Sequence, residues 1–238
     1  MPACPRGAII VDEHARIIVW PKCDRCFECV PACLYDSLTV CGRYVEPQEV
    51  LAEVLRDEAF YKNSSGGITV SGGEPLAQAG FVSHLLELCK QHGLHTTLDT
   101  TGYAPWRAMR EVLEFVDLVL FDVKHLDAAE HRKATGVGNR LILENLQRAS
   151  QATKVWMRVP VIVGFNDSGE HVEEISRLAK ALKVGKISLL PYHEGGKTKC
   201  DQMGRAYNHE RCGTPSAEQL LRLQEIIAGH GVKASIGT

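Results

Sequence analysis

Gly66-Gly-Ile-Thr-Val-Ser-Gly-Gly-Glu-Pro75 is a short apolar run that passes directly into two glycines, a carboxylate and a proline. Its reading is a buried β-strand over 68–71 followed by a turn into a helix. The same pattern recurs down the chain, with strands expected over 95–98, 118–121, 155–159, 186–190 and 232–236. Helical periodicity fills the intervals, over 47–61, 79–92, 106–115, 142–151, 170–182 and 215–230. Gly93, Gly185 and Gly231 fall where helix C-terminal glycines belong, and Thr214-Pro215 reads as an N-cap with proline at the first helical position. Repeated βα order implies a parallel sheet. The residues from 45 to 238 make five or six units at about 30 or more residues per step. That is too few for a closed eight-fold barrel, so the expected fold is α/β, an open, partial TIM-like barrel.

In such a sheet the chemistry gathers where the strands end. The first strand runs into Ser71-Gly72-Gly73-Glu74, the second into Asp99-Thr100-Thr101-Gly102 and the third into Asp122-Val-Lys124-His125. The fourth carries Arg158, and the fifth ends in Pro191-Tyr192-His193. Each alone has a bland explanation: a turn, a helix cap, a snorkelling lysine, a loop histidine. Five charged or glycine-rich clusters on five successive strand ends are harder to dismiss, because charges at a barrel mouth are costly unless paired or used. The glycines allow close backbone approach, and the carboxylate of Glu74 suits a cationic amine. Glu74, Asp99 and Asp122 with Lys124 and Arg158 suit a small zwitterion bearing an ammonium and a carboxylate.

The first 44 residues differ. Cys23-Asp-Arg-Cys26-Phe-Glu-Cys29-Val-Pro-Ala-Cys33 has the C-x2-C-x2-C-x3-C spacing of ferredoxin-type 4Fe–4S ligation. Zinc sites come as two pairs separated by a longer loop, and disulfides suit a secreted chain, which this composition does not suggest. Cys4-Pro5 reads as the end of a second ferredoxin run whose other cysteines would precede Met1. Cys23, Cys26 and Cys29 then hold three corners of one cluster. Cys4 crosses over to the fourth, with Cys33 able to substitute. Two short β segments, over 8–12 and 17–20, fit a hairpin between the runs. Cys41, Cys200 and Cys212 follow no ligand spacing, and Cys89 sits in an apolar helical stripe as a buried structural thiol.

With Lys+Arg 27 against Asp+Glu 29, the net charge of -2 offers no footprint for nucleic acid or anionic membrane. No run approaches the roughly 18 apolar residues of a membrane span. The composition reads as that of a soluble, reduced, cytoplasmic protein.

The set Gly66–Pro75, Asp99-Thr-Thr-Gly-Tyr103, Asp117-Leu-Val-Leu-Phe-Asp-Val-Lys-His125, Thr135-Gly-Val-Gly-Asn139, Arg158-Val-Pro160 and Leu189-Leu-Pro-Tyr-His193 resembles the radical S-adenosylmethionine (SAM) activases of glycyl radical enzymes. The resemblance runs through essentially the whole chain, in order. It implies that Gly72, Gly73 and Glu74 hold the methionyl amino group of SAM. It places Asp99, Thr100 and Asp122 around the carboxylate, and Lys124, Arg158 and His193 elsewhere along the cofactor. It further implies reductive cleavage of SAM, hydrogen abstraction from a glycine of a partner glycyl radical enzyme, and flavodoxin or ferredoxin as reductant.

One departure stands out. The family's C-x3-C-x2-C loop, which ligates the SAM-cleaving 4Fe–4S cluster, does not occur in these 238 residues; after Cys29-x3-Cys33 the third position is Asp36. The expectation is a fragment whose cluster loop and first strand lie upstream of Met1, and which is inactive as written. The alternative is an iron–sulfur electron-transfer or binding protein on a degenerate radical SAM barrel.

Overall fold

The computed structural model describes residues 3–11, 16–193, 195, 198, 200 and 213–237; Asp12 of the expected hairpin and Cys212 lie outside them. The chain divides into two compact units, Met1–Val45 with Glu194–Glu210, and Glu46–His193 with Arg211–Thr238.

In the first unit, β1 (Ile9–Val11) and β2 (Arg16–Ile18) form an antiparallel pair, with Ile9 opposite Ile18 and Val11 opposite Arg16. A 3-10 turn, Trp20–Lys22, leads into the cysteine loop, which has no regular structure. Arg25 and Phe27, the neighbours of Cys26, both sit at φ 61. A left-handed backbone is costly for such residues, at about 1–3 kcal/mol each, and persists only where the surroundings impose it.

The second unit is a six-stranded parallel sheet: β3 (Gly67–Val70), β4 (His95–Thr100), β5 (Leu118–Asp122), β6 (Lys154–Val161), β7 (Lys186–Pro191) and β8 (Ala234–Ile236). Spatial order equals chain order, so there is no switch point and each strand adds beside the last. This is the partial barrel expected. Around it lie α1 (Pro47–Val54), α2 (Glu58–Ser64), α3 (Ala79–Gln91), α4 (Trp106–Leu113), α5 (Ala128–Thr135), α6 (Arg140–Ala152), α7 (Gly169–Ala181) and α8 (Ala217–Gly229).

Register divides the sheet into two unlike faces. Leu98, Val119, Phe121, Met157, Val159, Ile187 and Leu189 share one face and are buried completely or nearly so in the main core. The alternate residues, Asp99, Leu120, Asp122, Trp156 and Arg158, share the other, which stays half open. The covered face carries most of the stabilisation, at about 25 cal/mol per Å² of apolar surface removed from water. At the start of β3, Gly67 pairs with His95 so closely that any Cβ there would overlap the His95 carbonyl.

Four local expectations need correction. The helix expected over 47–61 is broken by a 3-10 turn, Leu55–Asp57. Helix α5 was not anticipated, because only His131 of its eight residues is buried. Ser216, not Thr214, caps α8: it accepts from Gln219 N at 3.2 Å while Gln219 returns a bond to Ser216 N at 2.8 Å. After α7 the left-handed residue is Lys183 (φ 55), not Gly185. Cys89 is fully buried, and burial pushes its thiol pKa up.

Candidate functional site

The turn after β3 is fastened to the end of β4 through Glu74. Its Oε1 accepts from Thr100 Oγ1 at 2.6 Å and Leu76 N at 3.1 Å; its Oε2 accepts from Thr101 N at 2.9 Å and Thr101 Oγ1 at 2.6 Å. Four donors satisfy a carboxylate. Glu74 therefore acts within the chain as a clamp, and what the turn leaves free for a ligand is its backbone. Gly72 sits at φ 130, and a Cβ on Gly72 or Gly73 would meet nothing within 4 Å.

Beside this clamp four strand ends contribute one charge network. Ser71 Oγ donates to Asp99 Oδ2 at 2.9 Å, and Arg158 Nη1 donates to the same oxygen at 2.5 Å. Arg158 Nε lies 3.6 Å from Asp122 Oδ1, and Lys124 Nζ donates to Asp122 Oδ2 at 3.1 Å. Two carboxylates thus face two cations, all four side chains at least two-thirds buried. The separation of 3.6 Å is too long for a hydrogen bond. Asp122 Oδ1 and Arg158 Nε are accordingly buried with no partner, a donor and an acceptor each one bond short. Thr100 is buried behind Glu74, while His193 stands two residues past β7, exposed.

Three residues absent from the sequence reading brace these strand ends. Asn166, 1% exposed, donates to Lys124 O at 2.8 Å and Pro160 O at 2.7 Å, and accepts from Ile162 N at 2.8 Å. Asn145 donates to Gly102 O and Ala104 O, both at 2.8 Å. His171, in the first turn of α7, stacks on His125 with ring centroids 4.2 Å apart. Its Nε2 is buried without a partner; burial first, then the charge of His125, lowers its pKa to about 4. A polar residue on an apolar helical stripe (Ile142, Asn145, Leu146, Ala149) was the available signal for Asn145.

In the first unit Cys4, Cys23, Cys26, Cys29 and Cys41 line a cavity of about 410 Å³, walled by apolar side chains such as Ile18 and Trp20. Cys33 lies outside that lining. It is buried against Ser37, whose Oγ lies 3.2 Å from its Sγ, and Arg16 Nη1 donates to the sulfur at 3.6 Å. The Ser37 hydroxyl and the Tyr35 N–H hold the Cys33 thiol down at about 6.

A match to the Radical SAM superfamily covers residues 27–179. The chain is 33% identical over 240 residues to a 4-hydroxyphenylacetate decarboxylase activating enzyme of Clostridioides difficile, covering 98% of this chain and 76% of that protein. It is 41% identical over 237 residues to an isethionate sulfite-lyase activating enzyme of Oleidesulfovibrio alaskensis, covering 98% and 74%. Among solved structures, a domain of pyruvate-formate lyase-activating enzyme from Bacteroides vulgatus superposes with a TM-score of 0.62 at 32% identity, over 73% of this chain and 99% of that one. The chain belongs to the radical SAM superfamily, among the activating enzymes of glycyl radical enzymes.

Radical SAM enzymes use a 4Fe–4S cluster and S-adenosylmethionine. The strand ends fit the second of these: an open backbone at Gly72–Gly73 and an unpartnered buried donor and acceptor suit the ammonium and carboxylate of an amino acid. The first unit fits a cluster on packing grounds, since protein interiors hold few voids larger than a water molecule. Among the described residues no three His, Cys, Asp or Glu side chains converge tightly enough for a single metal ion. The thiols instead surround a space, which is what a four-iron cubane requires.

Proposed function

We propose that the strand-end network holds the methionyl group of S-adenosylmethionine and that the thiol-lined cavity holds a ferredoxin-type 4Fe–4S cluster that relays electrons. The observation that carries this reading is the convergence of Ser71, Asp99, Asp122, Lys124 and Arg158 from four strand ends into one network. The turn carbonyls of Ser71–Gly73 accept from the ammonium, Arg158 and Lys124 receive the carboxylate, and Glu74 keeps the turn closed on β4. Thr100 belongs to that clamp, and His193 flanks the pocket from β7. Cys4, Cys23, Cys26 and Cys29 ligate the relay cluster, with Cys33 outside it.

When bound, the family's cofactors supply reductive cleavage of SAM and a 5′-deoxyadenosyl radical that takes hydrogen from a glycine of the partner glycyl radical enzyme. Flavodoxin or ferredoxin is the proposed reductant. The 238 residues contain no C-x3-C-x2-C, and a relay cluster saturated by four thiolates offers no open iron to SAM. The polypeptide by itself therefore binds SAM weakly and does not cleave it.

The test is chromatographic measurement of 5′-deoxyadenosine under anaerobic reduction, for this chain and for a chimaera bearing a relative's N-terminal segment with C-x3-C-x2-C. Product from the chimaera alone is expected. Turnover by the short chain would sink the inactivity claim. An inactive but folded, iron-loaded chimaera would favour the second reading, an electron-transfer protein on a degenerate barrel.

A further inference from the structure

Spacing in the sequence sets Cys41 apart from the cluster ligands, but the cavity does not. Cys41 lines the same space as Cys4, Cys23, Cys26 and Cys29, while Cys33, which shares their motif, is outside. Five cysteines thus line a cavity in which a cubane takes four, one for each iron.

Three of the five arrive on one loop. Cys23, Cys26 and Cys29 are set by the left-handed bends at Arg25 and Phe27 and cannot exchange places without rebuilding it. The fourth corner has two claimants on separate segments. Cys4 precedes β1, and its sulfur accepts a bond from Ala8 N at 3.2 Å, which ties it to the start of that strand. Cys41 is exposed and lies on an irregular segment before α1, with neither helix nor strand to hold it away from the cavity.

We infer that Cys4 and Cys41 are alternative fourth ligands of the head cluster, so that Cys41 takes the iron when Cys4 is withdrawn. This rests on the reading that the unit holds a 4Fe–4S cluster. The exchange balances without an oxidant: the Cys41 thiol gives its proton to solvent as its sulfur binds iron, and the released Cys4 thiolate takes one up. The iron and sulfide count and the cluster charge are unchanged.

The test uses the full chain and its Cys4→Ala, Cys41→Ala and double variants, reconstituted anaerobically with ferrous iron and sulfide. Iron is counted after gel filtration, and unprotected thiols are alkylated and located by mass spectrometry. Both single variants are expected to keep the wild-type iron content. Alkylation of Cys41 should fall several-fold when Cys4 is replaced, and the double variant should lose at least half its iron. A loaded Cys4→Ala chain with Cys41 still fully alkylated would overturn the proposal. So would a Cys4→Ala chain that fails to load, or a double variant that binds iron as well as Cys4→Ala. A wild-type chain that takes up no iron is a different failure, which overturns the cluster reading itself.

Discussion

Arg158 on β6 hydrogen-bonds Asp99 on β4, reaching over the intervening strand β5, and passes 3.6 Å from Asp122 of β5 on the way. Neighbouring strands lie about 4.8 Å apart, so the side chain spans two strand spacings. A planar guanidinium presents its donors in a rigid fork towards both carboxylates, where a lysine ammonium is a compact point charge on a flexible stem. Replacing Arg158 by Met leaves two buried carboxylates facing each other. The expected loss is about 1–3 kcal/mol of unfolding free energy, with Arg158→Lys recovering only part of it. Urea unfolding of both variants checks this, and equal midpoints for Lys and Arg would contradict the bridging role.

Glu74 takes four donors, and an amide in its place offers one acceptor oxygen. Glu74→Gln is therefore expected to strand about half of them and to destabilise by about 1–3 kcal/mol. It should also weaken SAM binding by the C-x3-C-x2-C chimaera, through loosening of Gly72 and Gly73. Equilibrium dialysis beside urea unfolding separates the two effects. A variant that unfolds as wild type would show the clamp to be dispensable.

Gly102 has φ 70, and a Cβ there would overlap the ring tip of Phe121, which is fully buried. Gly102→Ala is expected to cost about 1–3 kcal/mol from overpacking alone, with backbone strain in addition. If Gly102→Ala melts as the wild type does, the ring has room to move and this contact is not a constraint.

His171 is held neutral in the folded chain, with its pKa lowered to about 4 by burial and by His125. The unfolded chain binds the proton near its ordinary value of about 6.5, so stability falls as pH drops from about 6.5 towards 4. His171→Phe should flatten the pH dependence of the unfolding midpoint across that window while leaving other carboxylate-driven changes below it. An unchanged slope would assign the acid sensitivity elsewhere.

How far the chain could be read in advance follows from where its signals are local. The strands announced themselves because one sheet face is buried nearly without interruption, from Leu98 to Leu189. The break at Leu55–Asp57 was hidden, since Leu51, Val54 and Leu55 continue the apolar spacing through it. The charged members of the network were legible from their place at strand ends. Asn166 was not, because Gly164-Phe-Asn-Asp167 has the composition of an ordinary turn, and the bond that ties it to the neighbouring strand end, to Lys124 O, comes from far away in sequence. Cys41 was set aside for a related reason: it follows no ligand spacing, and only the fold brings it to the wall of the cavity.

Chain order and spatial order coincide throughout β3 to β8. Each strand therefore finds its hydrogen-bonding edge already made by the strand synthesised just before it, with a single crossover to close. The sheet can grow at the ribosome as a row of units laid down in turn, N-terminal first. Nascent chains arrested after β6 should already protect the β4 and β5 amides from exchange, long before Ala234–Ile236 emerges to complete the far edge.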